Sequence, residues 1–314
     1  MVLPGGPDAA VPLAVAPTDL RQLAAHDARP RSLPGRAGPL AALDTSGPAE
    51  HGTVLLVAGY TGSKEDFAPL LAPLAEAGYR TVAVDMRGQY ESPGPDDPAA
   101  YSVAELGADI ESVARSLLTE TGGPVHLVGH SFGGIVGRAT VLADPSVAAS
   151  FTLLGSGPGA LGGHRAELLD HLAPLLEAGG VRLVSDTLDQ LAMTDPRAQA
   201  VPEPTRAFLT QRFLRNNAAG LRGMADALLA EPDRTAELAR TGVPLLVAHG
   251  VADDAWPPAV QADMARRLGA RHEVIPGAIH SPAVENPRRT LEVLLDFWSA
   301  VPAGRPAGGT AVRP

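Results

Sequence analysis

The chain of 314 residues contains no cysteine. That absence removes thiol nucleophiles, disulfides and cysteine-ligated zinc together, and leaves serine to carry any covalent acyl chemistry. Positive charge is scarce as well: 25 Lys and Arg stand against 35 Asp and Glu, a formal net charge of −10. Binding to a phosphate backbone needs a basic footprint, so nucleic acid is not expected as a partner and a small-molecule substrate is. Lysine is reduced to Lys64 alone, which speaks of GC-rich codon usage rather than of function. Long hydrophobic runs are missing too. Nothing approaches the roughly 20 apolar residues that span a bilayer, no lipidation signal is present, and no membrane association is expected. Met1 to Ala16 lack a basic n-region and are interrupted by Pro4, Gly5, Gly6, Pro7 and Pro12, unlike a secretory signal; we expect a cytoplasmic protein.

What remains is ordinary globular composition, with 45% hydrophobic and 19% charged residues, enough for a substantial core. Short apolar runs alternate with helical patterns, the mark of a mostly parallel sheet covered on both faces, an α/β fold. Strands are predicted at Thr53 to Val57, Arg80 to Val84, Val125 to Val128, Ser150 to Leu154, Pro244 to Ala248 and His272 to Ile275. One or two antiparallel strands are expected near Arg36 to Leu43. Helices are predicted from Phe67 to a terminal Gly78 and from Val103 to Glu120. From Gly155 to Thr241 the rhythm gives way to amphipathic helices, with Val181-Arg182-Leu183-Val184 the strongest strand signal. The expected organisation is an N-terminal extension over 1–35, a core over 36–155 and 242–301, a helical cap over 156–241 and a disordered tail over 302–314.

The pentapeptide Gly129-His130-Ser131-Phe132-Gly133 carries the chemistry. It follows a β-rich run and precedes an apolar helical stretch, so it reads as a serine nucleophile on a strand-to-helix turn where only glycine fits two residues either side. A serine hydroxyl needs a histidine to take its proton and a carboxylate to orient that histidine. Two late strands supply both, the first running into His249-Gly250-Val251-Ala252-Asp253-Asp254 and the second into Pro276-Gly277-Ala278-Ile279-His280. Asp254 offers a second carboxylate beside Asp253.

The order serine, acid, histidine, each after a strand, resembles the α/β-hydrolase superfamily, in its serine-nucleophile esterase or lipase branch with a helical lid. The resemblance runs from about Pro39 to the helix after Pro287, broken by the variable cap. It implies a mostly parallel, doubly wound central sheet with a helical cap inserted between late strands. It implies Ser131 as nucleophile, Asp253 as acid in a G-x-x-D-x-x-x-P loop (Gly250, Asp253, Pro257) and His280 as base in an H-x-P-x-x-E-x-P loop (His280, Pro282, Glu285, Pro287). The family's alternative acid position, after the preceding strand, reads Gly155-Ser156-Gly157-Pro158 and holds no carboxylate. The oxyanion donors implied are the amides of Phe132 and Tyr60, although Ala58 stands where the family usually has histidine. Asp85-Met86-Arg87-Gly88-Gln89-Tyr90-Glu91-Ser92 is similar to the family's D-x-R-G-x-G-x-S turn, with Tyr90 replacing a glycine. A serine at the elbow argues against the aspartate-nucleophile members.

The expected function is acyl-enzyme hydrolysis of carboxylic esters of small to medium apolar substrates, without cofactor or metal. Alternatives are lactone or carbon–carbon hydrolysis, or perhydrolysis, at the same triad, and a ligand receptor with little turnover. Met193, Phe208, Phe213 and Met224 are candidates for an apolar pocket, together with Leu183, Leu188, Leu191 and Leu214. Arg206, Arg212, Arg215 and Arg222 read as ion-pairing residues before substrate ligands. His126 reads as a core residue with a hydrogen-bonded tip, His130 and His249 as supports for their loops, and His164, Glu167 and His171 as a solvated helical face.

Overall fold

The computed structural model describes residues 21–302. The expected disordered tail, apart from Pro302, and the first twenty residues of the N-terminal extension lie outside them. In chain order the strands are β1 (Arg29–Gly35), β2 (Gly38–Asp44), β3 (Thr53–Val57), β4 (Arg80–Val84), β5 (Val125–His130), β6 (Ser150–Leu154), β7 (Leu245–Gly250) and β8 (Arg271–Ile275). The helices are α1 (Ala68–Glu76), α2 (Val103–Thr121), α3 (Phe132–Ala143), α4 (Gly163–Ala192), α5 (Pro196–Gln199), α6 (Glu203–Leu214), α7 (Ala218–Ala230), α8 (Thr235–Ala239), α9 (Pro258–Leu268), α10 (Pro282–Glu285) and α11 (Pro287–Ser299). One eight-stranded sheet runs β1-β2-β4-β3-β5-β6-β7-β8; β1 and β2 are antiparallel to their neighbours and the rest are parallel.

The central strands β3, β5 and β6 are buried along their whole length and mainly apolar because both faces are covered. Along β3, Leu55 and Val57 enter a core shared with α2, α3 and α9, while Val54 and Leu56 enter one shared with α1 and α11. Local chemistry sets the ends of the helices. Ser102 caps α2 by accepting from the Glu105 amide, and Gly122 ends it at φ 66°. Asn286 caps α11 through the Arg289 amide.

One expectation changes. The sheet begins at Arg29, inside the stretch 1–35 read as an extension, because β1 pairs with β2 through Leu33 and its neighbours at the sheet edge. The Val181–Val184 strand signal lies within α4, which bends at Gly180 (φ 63°). Helices α4 to α8 all fall between β6 and β7. Among the described residues no helix is long and apolar enough to cross a membrane.

Candidate active site

Parallel strands direct their carboxyl ends to one edge of the sheet, where open α/β folds gather their functional loops. At the end of β5 the chain turns sharply into α3, and Ser131 sits at φ 53°, ψ −120°, a strained conformation for a residue with a side chain. The flanking glycines are required by space. A Cβ on Gly129 would lie 2.3 Å from the Gly133 carbonyl oxygen, and one on Gly133 would lie 2.4 Å from that of Val57.

The loops after β7 and β8 bring the other two groups to the serine. Ser131 Oγ lies 2.9 Å from His280 Nε2, and His280 Nδ1 lies 3.0 Å from Asp253 Oδ1. With a carboxylate on one side, Nδ1 donates to Asp253 and Nε2 is left to accept from the hydroxyl. Asp253 is buried and also accepts from the Ala255 amide (2.9 Å) and Gln261 Nε2 (2.9 Å). Burial works to raise its carboxyl, but the hydrogen bond and charge of His280, with the donors of Ala255 and Gln261, hold it below the usual carboxylate range. Asp254, one residue on, is exposed and pairs with Arg165 at 2.6 Å.

The histidine loop is held from behind. Glu285 Oε2 accepts from the amides of Ile279 (2.7 Å) and Ser281 (2.9 Å), which gives the glutamate of the H-x-P-x-x-E-x-P pattern its physical role. His130 Nε2 donates to the His280 carbonyl at 2.8 Å. Burial, reinforced by the nearby His280, pushes His130 down to about 4, so it stays neutral beside the relay. His126 bonds Ser150 Oγ at 2.8 Å inside the core, and His249 donates to Gly250. His164 and Glu167 are exposed, 3.9 Å apart.

Facing Ser131 is the loop after β3. A Cβ on Gly59 would stand 3.0 Å from Ser131 Cβ, so glycine lets this loop close on the serine. Neither the Tyr60 nor the Phe132 amide has a hydrogen-bond partner among the described residues. The Tyr60 hydroxyl donates to the Leu221 carbonyl (3.1 Å), tying the loop to α7. Asp253, Asp254 and His280 can each bring a donor atom within 4.8 Å of the others. Asp253 already accepts three hydrogen bonds and Asp254 faces Arg165, an arrangement suited to relaying a proton rather than to gripping a metal ion.

Ser131 and His280 open onto a cavity of about 480 Å³, within the usual range for small-molecule sites. Its apolar lining includes Leu168, Leu169, Leu172, Leu176 and Leu188 of α4, Leu209 and Phe213 of α6, Leu221 and Leu228 of α7, and Trp256, and Arg165, Arg212, Arg222 and Glu285 add charged groups. Of the four candidates named from sequence, Phe213 alone lines it. Met193 is 74% exposed beyond the end of α4, Met224 is fully buried in the core and Phe208 packs edge-on against Tyr90 instead. Leu188 lines the cavity, whereas Leu183, Leu191 and Leu214 do not. Gln22, Asp66 and Trp256 also line it and escaped the sequence reading, because no local pattern marks residues brought together from distant loops.

Known proteins place this geometry. Residues 54–293 match the alpha/beta hydrolase family. The chain is 33% identical over 273 residues to the provisionally named carbamate hydrolase RutD of Variovorax paradoxus (strain S110), covering 84% of this chain and 98% of that one. It is 27% identical over 235 residues to the pimeloyl-[acyl-carrier protein] methyl ester esterase of Edwardsiella ictaluri (strain 93-146), covering 72% and 86%. In fold it is similar to a thermophilic esterase from Thermogutta terrifontis (TM-score 0.69, 22% identity, 87% of this chain and 99% of that one). The enol-lactonase of Burkholderia xenovorans LB400 is similar too (TM-score 0.70, 20% identity, 86% and 100%). Matched to the family over residues 54–293 and 33% identical to one relative over 84% of its length, the chain belongs to the alpha/beta hydrolase family.

Proposed function

We propose that the protein is a serine hydrolase that cleaves carboxylic esters of small to medium apolar substrates through an acyl-enzyme. The observation that carries this reading is the continuous relay from Ser131 through His280 to a buried Asp253, opening onto a cavity with many leucines in its lining. In the first half of the cycle Ser131 Oγ attacks the acyl carbon while His280 Nε2 takes its proton. Asp253 stabilises the imidazolium so formed. The carbonyl π electrons move to oxygen, opposite the open amides of Tyr60 and Phe132, which suit an oxyanion. Collapse of the tetrahedral species breaks the bond to the alcohol oxygen, which leaves with the proton from His280. Water then attacks the acyl carbon by the same route and releases the acid and free Ser131.

The test is hydrolysis of p-nitrophenyl esters from acetate to decanoate by wild type and by Ser131→Ala. Wild type should turn over with a preference set by the cavity, and the variant should lose at least about four orders of magnitude in kcat. Equal inertness on every ester, or equal activity of both proteins, would remove the ester reading.

A further inference from the structure

The turn Arg21–Leu23 lies outside the stretch 54–293 that matches the family, yet Arg21 and Gln22 form part of the cavity wall. Gln22 is only 9% exposed. A long polar side chain covered to that degree needs a partner, and Gln22 Nε2 donates to Asp66 Oδ1 at 2.8 Å. The same oxygen accepts from Arg212 Nη1 of α6 at 2.7 Å. Asp66 Oδ2 accepts from the Ser63 amide at 3.1 Å, in the loop that begins at Gly59 and Tyr60. One carboxylate therefore joins three separate stretches of chain: the Arg21–Leu23 turn, the loop facing Ser131 and a helix of the insertion.

The wall is polar where the α4 side of the cavity presents mainly leucines. Gln22 Oε1 and Arg212 Nε are already buried without a partner among the described residues, so what Gln22 presents to the cavity is the bulk of a side chain that its bond to Asp66 holds in place. The turn packs on α1, α6 and α10, the last of which follows the His280 loop.

We propose that Gln22 is a specificity-determining residue: held by Asp66, it fixes the Arg21–Leu23 turn as a polar wall that limits the size of the apolar substrate group the cavity admits. This rests on the ester-hydrolase reading above. Shortening the side chain removes the obstruction, so longer alkyl groups gain. A methylene gained or lost in such a pocket changes discrimination by roughly 10-fold or more.

The experiment compares full-length wild type, Gln22→Ala and Gln22→Met by the ratio of kcat/KM for p-nitrophenyl decanoate to that for p-nitrophenyl acetate. A ratio within one preparation is independent of the fraction correctly folded, so a merely structural loss does not move it. Gln22→Ala should raise the ratio at least about tenfold. Gln22→Met keeps the length of the side chain but not its bond to Asp66, and should also raise the ratio. An unchanged or lowered ratio in Gln22→Ala overturns the proposal, and a rise with alanine alone overturns the role given to Asp66.

Calorimetric binding of decanoate and hexanoate to Ser131→Ala, with and without Gln22→Ala, reads the same wall without turnover. A wild type inert on esters whose Gln22→Ala form still favours decanoate would defeat the hydrolase reading and keep the wall. Ester turnover with an unmoved size profile would do the reverse.

Discussion

Asp253 and Asp254 share a backbone neighbourhood and have opposite fates. The first is buried with three donors on its oxygens, while the second pairs with Arg165 in solvent. An exposed pair contributes about 1 kcal/mol at most, whereas loss of the orienting carboxylate leaves the histidine in the wrong tautomer. Asp253→Asn should therefore lower kcat on the preferred ester by about four orders of magnitude, and Asp254→Asn by less than about fivefold. The reverse ranking would move the acid to Asp254. A pH effect follows from His126 and His130, both pushed down to about 4, foremost by burial. Unfolded imidazoles take up protons below about 6.5 while these two refuse them until about 4, so in that window the unfolded state binds more protons. Through these two groups stability falls as pH drops from about 6.5 towards 4, by up to about 3 kcal/mol for each histidine, partly offset by Asp85, whose carboxyl burial pushes up to about 6 and which therefore takes up its proton in the folded state over the same range. Carboxylates held below their usual range, such as Asp253 and Asp66, lose their contribution only at lower pH. Urea denaturation at pH 7, 5.5 and 4.5 measures this slope. His126→Asn should flatten it, and parallel slopes in the two proteins would rule out the assignment.

At the scale of elements, the elbow between β5 and α3 shows why glycine spacing could be read from sequence. A Cβ at Gly133 would press on the Val57 and Ala58 carbonyl oxygens at 2.4 and 2.5 Å, both backbone atoms that cannot swing away. Gly133→Ala should destabilise the protein by about 3 kcal/mol in urea denaturation, while Gly47→Ala, with nothing nearer than 4.0 Å, should stay within about 0.5 kcal/mol. Equal effects would show that the elbow relaxes. The same logic explains what was legible and what was not. Strands β3 to β7 carry their own apolar runs, and Ser131, Asp253 and His280, which lie within hydrogen-bond distance in series, sit in the loops after β5, β7 and β8, where their order is legible. Strand β1 was hidden because Pro30 and Pro34 interrupt it and only Leu33 is buried; prolines are tolerated there because it is an edge. In α4 the strand signal at Val181 to Val184 gives way to the helical spacing, with Val184 and Ser185 buried and 181 and 188 half-buried on the same side. Pocket residues were the least legible. Counting apolar residues in the insertion identifies Met193 and Met224 as well as Phe213, but not which face of each helix meets the cavity.

The whole molecule is unevenly packed, and the unevenness coincides with the cavity. The sheet is covered by apolar clusters on both faces. Helix α4 has only Val184 and Ser185 buried along its thirty residues and bends at Gly180. Its Leu168, Leu172 and Leu176 are half-buried and face the cavity rather than a packed neighbour. Segments with few buried apolar contacts open locally at a free energy well below that of global unfolding, so α4 amides should exchange with deuterium faster than those of β3, β5 and β6. Filling the cavity supplies the missing contacts: burying a leucine side chain fully is worth about 1.5–3 kcal/mol, and tenfold in exchange corresponds to about 1.4 kcal/mol. A decyl fluorophosphonate bound at Ser131 should therefore slow α4 exchange at least about tenfold while leaving the central strands unchanged, and a methyl fluorophosphonate, too short to reach the leucines, should not. If α4 were as protected as the sheet before labelling, or if both labels slowed it equally, the leucines would be a closed core, and the cavity would not be where the apolar group of the substrate is held.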